Sequence, residues 1–291
     1  MIRMLPDGRR LHLQDGPIDL IIEANGSWGN VVAAYEAAAG RFVSILDELC
    51  SELGMLRTAV TQESLRPLGA VAQRMFDAVR PYSRDSFITP MAAVAGSVAE
   101  AVLDALLAAA PLERAYVNNG GDIAIHLGDE QSYTIGMVER PDRPSLFGSC
   151  EISADDPVRG IATSGWRGRS FSLGIADAVT VLAGTAAAAD AAATVIANAV
   201  DLPGHAGVRR APAREIVPDS DLRERLVTRE VAPLCLQEIK AAFDSGALVA
   251  ESLRSRGLIH AVAIHLQGHT RTIARDEGRS FEMSQRSLLH A

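Results

Sequence analysis

Asp190 and Thr194 stand four positions apart in the run GTAAAADAAATVIANAV, Gly184 to Val200. In a helix, positions i and i+4 share one face about 6 Å apart along the axis, so a carboxylate and a hydroxyl lie side by side. Oxygen-only donors of this kind suit a hard cation such as Mg²⁺. Ala186 to Ala189 and Ala191 to Ala193 carry no bulk, so another group can approach this helix closely. A plainer reading stays open: Asp190 as an exposed acid of the first turns, favoured by the helix dipole, with Thr194 merely packed.

Three other stretches carry polar groups in a telling context. Thr163, Ser164 and Gly165 form a Thr-Ser-Gly turn after a short apolar run. Asn118, Asn119, Gly120 and Gly121 lie between two alternating apolar runs, which is strong hairpin chemistry because Gly and Asn tolerate positive φ. Such a turn can present backbone N–H groups to a polar ligand, with Asp122 accepting from ribose or amide donors; it can equally be a plain turn. Thr89 before Pro90 marks a helix start, Thr89 as N-cap and Pro90 at the first helical position. Met91, Ala92, Ala93, Val94, Ala95, Gly96 and Ser97 follow, small enough for either close packing or a ligand. Free N–H groups and the positive dipole end make a helix start an anion site. Packing and ligand remain even alternatives there.

Elements must position these groups. Leu11 to Leu13 and Ile18 to Glu23 predict a hairpin around Asp15 and Gly16. Helical spacing predicts amphipathic helices over Asn30 to Leu53, closed by Gly54, and over Ser64 to Arg80, ended by Pro81. Strands are expected at Gln131 to Val138, Ser149 to Ile152, Ala178 to Ala183 and Ile259 to Leu266. Helices are expected from Glu230 to Ser245 and from Leu248 to Arg256. Asp201 to Arg229 reads as a long surface connection with one short helical piece, its Arg209, Arg210 and Arg214 a solvated face. Antiparallel strands with helices before them predict an α+β fold rather than a doubly wound sheet. We expect one domain over 1–267 and a polar tail over 268–291.

Composition narrows the partners. The chain has 291 residues, 48 % of them hydrophobic, and a net charge of −8. Such an acidic surface repels phosphate backbones and anionic lipid, which excludes nucleic acid and argues against a membrane. Cys50, Cys150 and Cys235 are scattered without CxxC spacing, which argues for a reducing compartment and against a zinc site. The N-terminal stretch lacks an apolar signal segment, and the most apolar window, Ala178 to Val200, contains Asp190. A cytoplasmic location is the expectation.

Taken together, NNGGD (Asn118 to Asp122), IATSG (Ile161 to Gly165) and VTVLAGTAAAADAAAT (Val179 to Thr194) resemble the ApbE-like flavin transferase superfamily, the FAD:protein FMN transferases. The combination of FITPMAAVAG, VNNGGDIAI and SLGIADAVTVLA is most similar to a little-characterised branch, an uncharacterised protein family within that superfamily. The resemblance covers Phe87 to Val200 well and the flanks only in layout. It implies an ApbE-like α+β fold in which FAD is held by the GGD turn, the small-residue helix start and the ATSG turn. Thr89, Met91, Ala92, Asn118 to Asp122 and Thr163 to Gly165 would then bind the flavin. It also implies Mg²⁺ on Asp190 and Thr194. Departures accompany it: Ala95 stands where the superfamily has a lysine, and the loop from Trp166 to Gly174 lacks the His-Ile-Ile-Asp-Pro signature. Arg167, Arg169 and Ser170 offer cationic help to a phosphate, and no residue stands out as a base.

Three functions follow. One is a Mg²⁺-dependent transferase moving FMN to a Ser or Thr of an acceptor protein, or cleaving the FAD diphosphate. A second is a binding or cofactor-biosynthesis protein that keeps the pocket for FAD, a pterin or a nucleotide without FMN transfer. The third is a structural domain in which the small-residue helix is a homodimer seam.

Overall fold

Alternating apolar and polar residues lay down the first strands. A computed structural model of the chain describes residues 1–138, 146–274 and 282–283. It opens with β1 (Ile2–Met4), β2 (Leu11–Asp15) and β3 (Ile18–Asn25), and β3 buries Ile18, Leu20, Ile22 and Ala24 in strict alternation. The predicted hairpin joins β2 to β3 at Gly16, where φ is +52°. Helix α1 (Trp28–Ser51) starts at Ser27, whose hydroxyl accepts the Asn30 N–H. A short α2 (Leu53–Leu56) follows at once, so Gly54 lies inside a helix rather than closing α1. Helix α3 spans only Ala70–Val79. The Glu52 carboxylate takes the N–H groups of Leu68 and Gly69, Pro67 has none to give, and Leu65 and Leu68 point to solvent. The segment expected as the first turns of that helix is therefore a loop.

Pro90–Ala93 forms a 3₁₀ turn ahead of α4 (Val94–Ala109). Then come β4 (Arg114–Asn119) and β5 (Asp122–Leu127), joined by Gly120 and Gly121 with φ of +66° and +117°. The remaining elements are β6 (Ser132–Val138), β7 (Leu146–Ser153), β8 (Gly160–Ser164), β9 (Ala178–Ala183), α5 (Ala186–Ala199), β10 (Val208–Pro212), α6 (Ala213–Ile216), β11 (Leu226–Val231), α7 (Leu236–Ser255), β12 (Ala261–Leu266), β13 (His269–Ile273) and β14 (Glu282–Met283). The fold is α+β with antiparallel pairing, as expected.

The chain divides into two compact units. The first holds Met1–Ser132, Ser153–Ala162 and Ala183–Ala191. Its strands run in the order β1-β2-β3-β4-β5-β8, with α4 packed on α1, β4 and β5. Pro90–Ala109 is long and apolar enough to cross a membrane by composition alone, yet Val98, Ala99, Val102 and Leu106 are fully buried there among the core residues of α1 and β2 to β4. It is the central helix of this unit's core.

The second unit holds Tyr133–Ile152, Thr163–Leu182 and the chain from Ala192 onward. Strands β9, β12 and β13 pair antiparallel, and β6, β7 and β14 form a smaller sheet. Three expectations fail here. The long connection contains a hairpin, β10 against β11, whose charged sequence hid its period. The two helices expected near the C-terminus are one, α7; it runs through Gly246, where a Cβ would lie 2.4 Å from the Val200 side chain. Residues 269–273, placed in a polar tail, form β13, and His265 Nδ1 meets Thr270 Oγ1 at 2.7 Å. Residues 275–281 and 284–291 of that tail lie outside the described residues.

Candidate functional site

In the first unit the starts of α4 and α5 press backbone to backbone. A Cβ on Gly96 would stand 2.3 Å from the Ala186 carbonyl oxygen, so only glycine fits. The small residues of this stretch thus serve close approach to a second helix. That approach delivers the Asp190 carboxylate, which accepts the Gly96 N–H at 3.0 Å and a second N–H from Ala95. The anion at the start of α4 is therefore supplied by the chain itself, where the helix dipole favours it.

The exchange is reciprocal. Glu100, buried on α4 one turn beyond Gly96, accepts the Ala187 N–H at the start of α5 at 2.7 Å. Each helix caps the other with a carboxylate. Arg74 of α3 pairs with Glu100 and also with Asp104 at 2.6 Å, so the charge of Glu100 is balanced. Thr185 completes the start of α5, its hydroxyl accepting the Ala188 N–H at 3.2 Å.

The Gly120-Gly121 turn belongs to the same unit. Asn118 Oδ1 accepts the Gly121 N–H at 2.8 Å, and the Asn119 amide donates to the Ala95 carbonyl at 3.2 Å. Asn119 and Asp122 face each other across the hairpin. The hairpin thus anchors to the start of α4. The Asp190 carboxyl is held well above the usual carboxylate range, first by burial and then by Asp122, against the pull of its two N–H donors. Asp190 as a whole is half-buried.

Of the expected ligand residues, Asn118 to Asp122 and Asp190 come together here, and Thr194 sits half-buried one turn further along α5. Thr89 is buried, its hydroxyl does not cap the 3₁₀ turn, and its carbonyl takes the Ala92 N–H at 3.1 Å. The N–H groups given to a carboxylate are those of Ala95 and Gly96, not of Met91 and Ala92. Among the described residues no three His, Cys, Asp or Glu side chains converge on one point. Glu100 and Arg74 escaped the sequence reading, although a lone acid in the apolar run SVAEAVL was a visible signal.

Thr163, Ser164 and Gly165 belong to the second unit. Thr163 and Ser164 end β8 rather than forming a turn, and Thr163 Oγ1 meets Thr180 Oγ1 at 2.9 Å. A Cβ on Gly165 would lie 2.4 Å from the Asp177 carbonyl oxygen, which fixes glycine at the strand exit. Buried Asp177 gathers the following loop: Oδ1 accepts from Trp166 Nε1 and Arg167 Nε, and Oδ2 accepts the Gln267 N–H at 2.6 Å. Arg167 also stacks on Trp166, 4.3 Å from the ring centre. Its charge is committed to this knot, which leaves Arg169 as the exposed arginine of the loop.

A UPF0280 protein of Methanopyrus kandleri is 39 % identical over 60 % of this chain. UPF0280 proteins of Methanococcoides burtonii and Methanobrevibacter smithii are 37 % and 36 % identical over 43 % and 47 %. These matches span 66 %, 51 % and 58 % of the relatives' own lengths, less than two thirds of each. A variant of the flavin transferase ApbE from Vibrio cholerae aligns over 92 % of this chain and 97 % of its own, with 13 % identity and a TM-score of 0.40. The ApbE protein of Thermotoga maritima aligns over 90 % and 77 %, with 16 % identity and a TM-score of 0.36. Scores this low carry no argument. A family model described as "AbpE bacteria" matches residues 2–272, nearly the whole chain. With that model spanning nearly all of it, this chain belongs to that ApbE-like family.

Proposed function

We propose that the protein is a Mg²⁺-dependent flavin-handling enzyme that moves FMN from FAD to a Ser or Thr of an acceptor protein, or cleaves the FAD diphosphate with water. The observation that carries this reading is the placement of the Asp190 carboxylate of α5 against the start of α4, where the Asn119 amide also ties down the GGD hairpin, within one unit. Burial and the charge of Asp122 raise the proton affinity of Asp190, and a hard cation would relieve the same crowding of negative charge. Asp190, with the hydroxyl of Thr194 one turn on, would hold Mg²⁺, and Asp122 would add charge beside it. The ion supplies charge neutralisation for a diphosphate.

In the transfer, the acceptor hydroxyl oxygen bonds to the phosphorus on the riboflavin side and gives up its proton. The bond from that phosphorus to the bridging oxygen breaks, and AMP leaves. Asn118 to Asp122, Thr89, Met91, Ala92 and Thr163 to Gly165 are the residues we assign to FAD. We take the chain through β13 as one family domain, in place of the expected 1–267, working in the cytoplasm, where the three free thiols are at home.

A second reading has its own support. Ala95 replaces the superfamily's lysine, its N–H and carbonyl are both engaged, and Arg167 is tied to Asp177. A pocket kept for FAD or another phosphorylated heterocycle without FMN transfer is consistent with this. One experiment separates the two: identify the small molecules released on denaturing the purified protein, then repeat with Asp190→Ala. FAD lost in the variant, with a one-FMN mass gain on an acceptor peptide from wild type, is the expected result. A different heterocycle, or binding without turnover, favours the second reading.

A further inference from the structure

We propose that Glu100 is a positioning residue for the Asp190 carboxylate, setting where the start of α5 meets the start of α4. The proposal rests on the reading of Asp190 as the cation ligand, and it concerns the residue that holds that ligand in place.

Four observations converge. Gly96 and Glu100 lie one turn apart on α4, hence on one face. Ala187 and Asp190 lie three positions apart on α5, again nearly on one face. Hydrogen bonds run in opposite directions between these faces, the Gly96 and Ala95 N–H groups to Asp190 and the Ala187 N–H to Glu100. Backbone contact at Gly96 leaves no slack between them. With only the adjacent Ala95 and Gly96 bonds, α5 could pivot about that end and carry Asp190 with it. The Glu100 bond is the second point, and two points remove the pivot. Glu100 itself is clamped by Arg74, whose other arm takes Asp104, so its carboxylate has one place to be. A buried acid without such a partner would be expensive to keep charged. If Glu100 were only a cap for α5, its loss would loosen Ala187 and lower stability without acting specifically on Gly96.

Amide hydrogen exchange in EDTA, followed by Mg²⁺ titration calorimetry, distinguishes these cases. The variants are Glu100→Ala, Glu100→Asp (charge kept, reach shortened) and Glu100→Gln (acceptor oxygen kept). Leu106→Ala, in the buried face of α4, is the control for general destabilisation. We expect exchange at Gly96 to rise about tenfold or more in Glu100→Ala and Glu100→Asp beyond the control, with Glu100→Gln recovering most of the protection. Mg²⁺ affinity should fall about 10- to 100-fold in the same two variants, the usual cost of losing a group that orients a ligand. Exchange at Gly96 no faster than in Leu106→Ala overturns the proposal. Loosened Gly96 in a protein whose wild type takes up no Mg²⁺ supports the positioning role and overturns the cation reading on its own.

Discussion

At the scale of single residues, the site is defined by what cannot be changed. Gly96→Ala drives a methyl group into the Ala186 carbonyl, and both sides of that clash are backbone. We expect a loss of about 3 kcal/mol, the upper end for overpacking, read as a lower urea midpoint. Asp190 gives a pH signature. Its folded pKa lies above the unfolded value near 4, so its contribution is fully present below pH 4 or so and is lost as pH rises through the raised value. In EDTA the wild type should therefore lose stability relative to Asp190→Asn as pH rises, and parallel curves would refute the shift. Since a cation needs the ionised carboxylate, Mg²⁺ binding should release a proton and strengthen with pH. In the second unit, Asp177→Ala strands the Trp166 Nε1–H and the Gln267 N–H; we expect a cost of about 2–4 kcal/mol in chemical denaturation. Asp190 and the GGD turn were legible because motif and spacing marked them. Glu100 and Asp177 were not, because their partners are backbone N–H groups far away in the chain.

At the scale of elements, local signals did well where one force dominated. The alternating strands β2 to β5 and the β-branched β9 stand where the pattern put them, as does the Gly120-Gly121 hairpin. Failures share a cause: tertiary partners overrode local cues. Gly246 reads as a break, yet α7 runs through it because Val200 needs the space. Leu65 and Leu68 fit a helical period, yet Glu52 captures the N–H groups there. Thr185, whose capping role the sequence reading passed over, offers a clean check at this scale. Thr185→Ala removes the N-cap of α5 and should cost about 1 kcal/mol by thermal melting, with Thr185→Ser close to neutral.

At the scale of the whole molecule, thiols report on integrity. Cys50 and Cys235 are exposed, while Cys150 is buried with its thiol pushed up to about 11. Alkylation at pH 8 should modify two thiols quickly and the third only on unfolding; three equally fast reactions would contradict the burial of β7. Cysteine number and spacing pointed to free thiols, but composition had no access to the division into two units. The mutual capping of α4 and α5 has a consequence for how the chain is made. The bonded pairs are 94 and 87 positions apart in sequence. During synthesis, α4 emerges with its first N–H groups unsatisfied and Glu100 facing water, and it stays so until Ala187 and Asp190 clear the ribosome. The nascent first unit therefore cannot close early, and its assembly waits on roughly the next ninety residues, the high-contact-order regime in which folding is slow.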